Sequence, residues 1–357
     1  MSATLMVWVF IALYLLLIWK SGKTFPLVYL FAFTYFLQYV FAPYFVYNQY
    51  DVLSYQMPIR QEQYFDYAIP ALLSLFLGIF LFMKDFPIRE HLRRINRRQA
   101  TELGYLLVGI SLGFDLIGFV GITALSSIGS FTTYLKYLGA FCFLFAPSRF
   151  HYLLIGLIYL QLGLKVVEAG VFISFFIWAT FLFFFIVLSF RLPFLIRMSA
   201  IVIAVPATIM VQSVKNEYRE MTWEGPHEGG VELFSELAEK NQEEGPYTES
   251  RGFISTIGRL SQGWHLGLAL KHVPKREPFA DGQEMLNDII SSILPRVIFA
   301  NKKEVNSQEK FYQYTGHKLR GSTSMSIGIL GDFYINFGRN GAFMMLFAFG
   351  AVIAKLL

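Results

Sequence analysis

Nine stretches of mostly apolar side chains set the terms on which this chain can fold. They cover residues 5–19, 25–47, 64–83, 103–125, 132–146, 152–164, 171–190, 198–212 and 341–357. A bilayer core about 30 Å thick is crossed by a helix of roughly 20 apolar residues, and most of these runs approach that length; those at 132–146 and 152–164 fall short of it. Charged residues make up 15% of the chain and hydrophobic ones 55%, where a soluble globular chain carries about 25% charge. The expected fold is all-α: a polytopic transmembrane helical bundle of about nine spans with one large extracytoplasmic loop domain. Residues 1–213 hold eight spans, 214–322 the loop, and 323–357 an interfacial segment and the final span.

The loop stands apart by charge. Residues 214–322 hold thirty of the fifty-five Asp, Glu, Lys and Arg residues. Hydrocarbon does not solvate such groups, so this stretch belongs in water or a wet cavity, where chemistry on charged substrates is expected. Lys and Arg concentrate in cytoplasmic loops. Alternate loops hold Lys20 and Lys23, then Lys84, Arg89, Arg93, Arg94, Arg97 and Arg98, then Arg149, then Arg191 and Arg197, while the opposite set holds little beyond Arg60 and Lys165. The first set is therefore inside, and the large loop and N-terminus are outside. The first run lacks a preceding basic stretch and ends in Trp19-Lys20; it reads as a retained helix rather than a cleaved signal.

Several function classes are disfavoured. The basic run from Lys84 to Arg98 lies beside a span, where such clusters fix orientation and touch anionic head groups, and a net charge of +5 does not point to nucleic acid. Cys142, the one cysteine, sits in an apolar run, so an intrachain disulfide is ruled out and a thiol site is not expected. Sequence signatures of zinc proteases, nucleophile elbows and phosphate loops are missing.

Within the loop the sign of charge changes. From Glu217 to Glu249 ten Glu face only Arg219 and Lys240, which reads as a solvated surface with one short helix near 231–240. From Arg251 onward eleven basic residues oppose six acidic ones, and Phe253, Ile254, Ile257 and Leu260 follow helical spacing. Four basic positions lie beside spans or helix ends. Lys215 and Arg219 are four apart, on one helical face at the membrane surface. Arg259 and His265 flank Ser-Gln-Gly-Trp, where one helix would carry them about two turns apart. Arg296 follows Leu-Pro, with Lys302 and Lys303 after it. Guanidinium forks bind phosphate oxygens bidentately, so several converging at the outer surface would receive a lipid-linked phosphate or pyrophosphate; head-group contacts and structural ion pairs are the plainer reading. Asp115 lies mid-span, a functional position by default or a structural hydrogen bond, and Lys165 and Glu168 are expected to pair with each other.

The order Lys215-Asn-Glu-Tyr-Arg219, Arg259-Leu-Ser-Gln-Gly, Leu294-Pro-Arg296 with Asn301-Lys302, Tyr314-Thr-Gly316 and Gly331-Asp-Phe-Tyr-Ile-Asn-Phe-Gly338 before a last span resembles the O-antigen polymerase family. The resemblance implies a glycosyltransferase that polymerises polyprenyl-pyrophosphate-linked oligosaccharide repeat units at the outer face of the bacterial cytoplasmic membrane. It implies no cofactor and no metal, with lipid-linked oligosaccharide, membrane lipid and a chain-length regulator protein as partners, and no nucleic acid. On this expectation Arg219, Arg259 and Arg296 clamp the diphosphate with Lys215 and Lys302 beside it. His265 is the candidate base, with Glu217 or Asp332 as alternatives, and Asp332, Tyr334 and Asn336 contact glycan. Residues 331–338 read either as a re-entrant element or as the amphipathic lead-in of the last helix. Members usually continue through further spans, so the chain is expected to stop short of the family's full length. Two alternatives stay open: an O-antigen ligase, which uses a lipid A core as acceptor, and a lipid-linked glycan transporter. The transporter is disfavoured because almost only Asp115 places charge deep in a span.

Overall fold

The computed structural model describes residues 2–49, 56–84, 94–119, 132–224, 229–242, 251–293, 307–319 and 325–356, and all regular secondary structure among them is helical. The helices are α1 (Ala3–Ser21), α2 (Leu27–Phe36), α3 (Ala42–Gln49), α4 (Gln61–Phe82), α5 (Arg97–Phe119), α6 (Leu135–Phe145), α7 (Arg149–Ala169), α8 (Ile173–Phe190) and α9 (Phe194–Arg219). After them come α10 (Val231–Gln242), α11 (Arg251–Leu260), α12 (Gly263–His272), α13 (Gln283–Ile293), α14 (Ser307–Thr315) and α15 (Ile329–Leu356). A π-helical turn, Leu37–Phe41, joins α2 to α3 without breaking the rod.

Among the described residues seven helices are long and apolar enough to cross a membrane: α1, the α2–α3 rod, α4, α7, α8, α9 and α15. The protein is a multi-pass, all-helical membrane protein. The run expected at 152–164 is part of a 21-residue helix. One expected span differs, and a second is described only in part. The run at 132–146 contains an 11-residue helix, about half the length a bilayer core requires. That at 103–125 falls on α5, whose first turns carry Arg97, Arg98 and Glu102, and whose expected end lies outside the described residues. Residues 331–337 are helical and lie in the first turns of α15, which Gly338 interrupts with non-helical backbone.

Local chemistry sets the helix ends. Ser148 caps α7 by accepting from the His151 N–H at 3.1 Å, and Gly170 ends it in the left-handed conformation (φ 62°). Pro70 lies inside α4 and Pro206 inside α9, a position tolerated in membrane helices because neighbouring groups take up the freed carbonyl.

The chain divides into two compact units. One gathers Met1–Tyr14, Val28–Asp85 and Ile254–Leu357; the other gathers Leu15–Leu27 and Phe86–Phe253. The division at 253 falls close to where the polar stretch turns from acidic to basic, so its two halves belong to different units.

In the first unit α4 packs on α15 through glycine. A Cβ at Gly78 would lie 2.1 Å from the Phe347 carbonyl oxygen, and one at Gly350 2.2 Å from that of Leu75. Such backbone approach is how membrane helices gain packing where burial from water supplies no drive. Tyr64, Ala68, Ala71, Leu330 and Leu346 are fully buried in this core.

In the second unit α5, α6 and α7 pack around Tyr137, Phe143, Leu144, Ile155 and Leu162. Lys136, only 1% exposed, points from α6 to Asp115 of α5 at 2.9 Å and to Gln161 at 3.2 Å, and the Thr133 hydroxyl donates to Asp115 at 3.1 Å. Lys165 lies 3.9 Å from the same carboxylate, so its ion-pair contact is with Asp115 rather than the expected Glu168. Burial raises the cost of each charge and only the pair makes it tolerable.

Candidate functional site

A cavity of about 840 Å³ opens in the first unit among the start of α4, the end of α12 and the first half of α15. Its walls follow from three sequence arrangements. Gln63 and Tyr67 are four apart on α4, so one face of its first turns meets the cavity, and Arg60 and Gln61 join them at the start of the helix. Gly263, Gly267 and Lys271 recur every four residues on α12. A Cβ on Gly263 would come within 2.9 Å of Pro43 and Met57, and one on Gly267 within 2.9 Å of Pro58. The bare glycine face lets α12 press against the 57–60 segment, and Lys271, one turn on, lines the space beyond. Finally α15 breaks at Gly338, whose φ of 66° favours glycine. The Phe279 ring sits 3.3 Å from where its Cβ would be. Arg339, the next residue, lines the cavity and pairs with Asp66 at 2.7 Å.

Three tyrosines complete the wall, and each hydroxyl is already spoken for. Tyr47 donates to the Ile59 carbonyl at 3.0 Å, Tyr67 to Leu330 at 2.8 Å and Tyr334 to Val273 at 3.0 Å. Tyr67 and Tyr334 meet edge to face with centroids 5.1 Å apart. Tyr67 is 2% exposed with its ring stacked on Phe343, so Tyr47 and Tyr334 offer rings to a ligand, while its polar contacts fall to Arg60, Lys271, Lys275, Arg339, Gln61 and Gln63. Arg60 precedes α4 and supplies no side-chain cap, so the positive end of a 22-residue helix adds to these cations.

Of the described residues expected at the site, Tyr334 alone lines this cavity. Asp332 and Asn336 lie four apart on α15 and turn to other helices. Asn336 accepts from the Met285 N–H at 3.2 Å and donates to the Asp332 carbonyl at 2.8 Å. Asp332 pairs with Lys310 at 3.0 Å, and Lys310 also reaches Asp288 at 2.6 Å. Burial disfavours the Lys310 charge, but the two carboxylates outweigh it and hold its pKa above the usual lysine value. This hub fastens α13 and α14 to α15.

The expected arginine clamp is not what the cavity gathers. Lys215 and Arg219 do share the last turns of α9, and Arg219 Nε donates to the Gly170 carbonyl at 2.9 Å, securing the end of α7 within the second unit. Arg259 is exposed on α11 in the first unit. Arg259 and His265 are not on one helix, because the chain breaks at Ser261–Gln262, where the Gln262 N–H donates to the Gln38 carbonyl at 3.0 Å. Arg296 and Lys302 lie outside the described residues. No group of three or more metal-ligating side chains occurs among the described residues.

His265 is not part of the cavity wall. Its ring packs edge-on against Trp264 and Phe311, its Nδ1 is buried without a hydrogen-bond partner, and burial pushes its pKa down to about 4. An unfolded histidine near 6.5 takes up a proton that the folded ring refuses. Stability from this site is full above 6.5 and falls as the pH drops toward 4. Thermal melts across that range should show a steeper acid loss for the native protein than for His265→Phe; parallel curves would mean the ring is not held neutral by burial.

Arg60, Lys271, Lys275 and Arg339 were not singled out as ligands by the sequence. Arg60 did carry a signal: it is a cation in a short loop on the side that the positive-inside rule depletes. A family model described as a domain of unknown function (DUF8712) matches residues 29–357. No curated protein and no solved structure matches the chain. The chain belongs to the DUF8712 family.

Proposed function

We propose that the protein is a membrane glycosyltransferase that polymerises polyprenyl-pyrophosphate-linked oligosaccharide repeat units at the outer face of the bacterial cytoplasmic membrane. The supporting observation is the cavity: cations from three separate segments and tyrosine rings around one space, at the polar ends of helices long enough to cross a bilayer. Arg60 and Arg339 grip the donor diphosphate through their guanidinium forks, and tyrosine rings stack on the adjoining sugars. The bond from the donor's anomeric carbon to the diphosphate oxygen breaks as the acceptor hydroxyl oxygen bonds to that carbon. Polyprenyl diphosphate leaves and the hydroxyl proton passes to solvent or a base. Charge builds on the leaving diphosphate, where fixed cations lower the barrier.

Purified protein in detergent, given a lipid-linked repeat unit alone, should release polyprenyl diphosphate and form dimers and longer glycans. Product only when a lipid A core is supplied would identify a ligase. A lipid-linked glycan transporter is the second reading, favoured by Lys136, which adds a second buried charge to Asp115 in the helical core; no product with either acceptor would support it over a transferase.

A further inference from the structure

Donors outnumber acceptors in this cavity. Arg and Lys side chains donate and accept nothing. The described lining has four of them, two glutamines and no Asp or Glu, and its tyrosine hydroxyls are committed to backbone carbonyls. Among the described ion pairs, only that of Arg339 with Asp66 neutralises one of these cations.

Neutral sugars are a poor match for such a wall, because their hydroxyls bring as many donors as acceptors and each donor seeks an oxygen that the side chains here barely supply. A diphosphate matches part of it. Yet at about 840 Å³ the cavity is near the upper end of ligand-sized pockets, and a diphosphate group fills a small fraction of that volume. The cations also differ in kind. Arg60 and Arg339 are planar forks suited to paired phosphate oxygens, while Lys271 and Lys275 are point charges on flexible stems. Both lysines come from the end of α12 and the turn after it, on a different segment from either arginine.

Resting on the glycosyltransferase reading, we infer that the saccharide held beside the diphosphate is itself acidic, with a sugar carboxylate held by Lys271 and Lys275. The tyrosine rings carry the sugar faces and the lysines carry the added charge, so the enzyme acts on a uronate-bearing rather than a neutral repeat unit.

Calorimetry on the full chain in nanodiscs decides this with three probes: inorganic pyrophosphate, a tetrasaccharide alternating glucuronate and N-acetylglucosamine, and neutral chitotetraose. With pyrophosphate saturating, the uronate tetrasaccharide should bind at least about tenfold more tightly than chitotetraose, as expected for charge-assisted hydrogen bonds. Lys271→Gln with Lys275→Gln should bring the two saccharides to equal affinity. Equal binding by the native protein, or an undiminished preference in the double variant, would overturn the inference. If pyrophosphate does not bind, the diphosphate reading fails while the saccharides, titrated alone, still report on the carboxylate: a uronate preference then sustains it and its absence ends it.

Discussion

Glutamine at both Arg60 and Arg339 should slow glycan polymerisation by at least roughly 10²-fold, the loss typical of removing one preorganised hydrogen-bond donor from a developing charge, while the protein stays folded. The expectation follows from geometry. Arg60 and Arg339 approach one cavity from the residue before α4 and from α15, and both carry guanidinium forks. Glutamine keeps the bulk of each stem and removes the charge. The Asp66 left behind is 60% exposed, so no buried anion is stranded and thermal stability should change little. Arg98→Gln is the control: that side chain is 85% exposed and pairs with Glu102 one turn away, so its loss should leave both rate and melting temperature unchanged. A double variant at Arg60 and Arg339 with native polymer yield would show that these cations do not act on the reacting group.

Lys136→Leu should have the second large effect, on the fold rather than the chemistry. Lys136 is 1% exposed and its ammonium is shared between Asp115 and Gln161. Removing it leaves a carboxylate in a helical core with only the Thr133 hydroxyl at 3.1 Å and the half-exposed Lys165 at 3.9 Å. Breaking one side of a buried pair costs about 3–5 kcal/mol, and Lys165 places this case toward the lower end. Folded yield should drop sharply in the single variant, and Asp115→Asn combined with Lys136→Met should restore most of it, because the two charges leave together. A stable Lys136→Leu protein would mean that Asp115 does not depend on this partner.

The fold was legible where run length decides it. The spans at 64–83, 171–190 and 198–212 correspond to α4, α8 and α9 because a long apolar run has few options in a bilayer. The run at 132–146 misled because apolar composition does not show where a helix begins; Tyr134 precedes α6 and only eleven residues follow in helix. Lys136 inside that run was the overlooked sign of a buried ion pair.

The site was less legible. Asp332, Tyr334 and Asn336 alternate in sequence and so read as one polar side, but alternate residues share a face in a strand, not in a helix. On α15 Asp332 and Asn336 turn to α13 and α14 while Tyr334 faces the cavity. Spacing did predict the shared face of Lys215 and Arg219, yet nothing local indicates that Arg219 holds the Gly170 carbonyl, 49 residues away. The cavity cations come from positions 60, 271, 275 and 339, brought together by a glycine face and a kink that only the folded chain displays.

If this cavity receives the diphosphate of a lipid-linked glycan, a reactive diphosphate lipid should be captured there. A photoactivatable polyprenyl diphosphate, irradiated with the purified protein and mapped by peptide mass spectrometry, tests it most directly. Label should fall on the peptides holding Arg60, Lys271 and Lys275, or Arg339, and free pyrophosphate should compete it away. Label confined to the peptides of Arg219 or Arg259, with none at the cavity, would place diphosphate binding elsewhere and rule the cavity out.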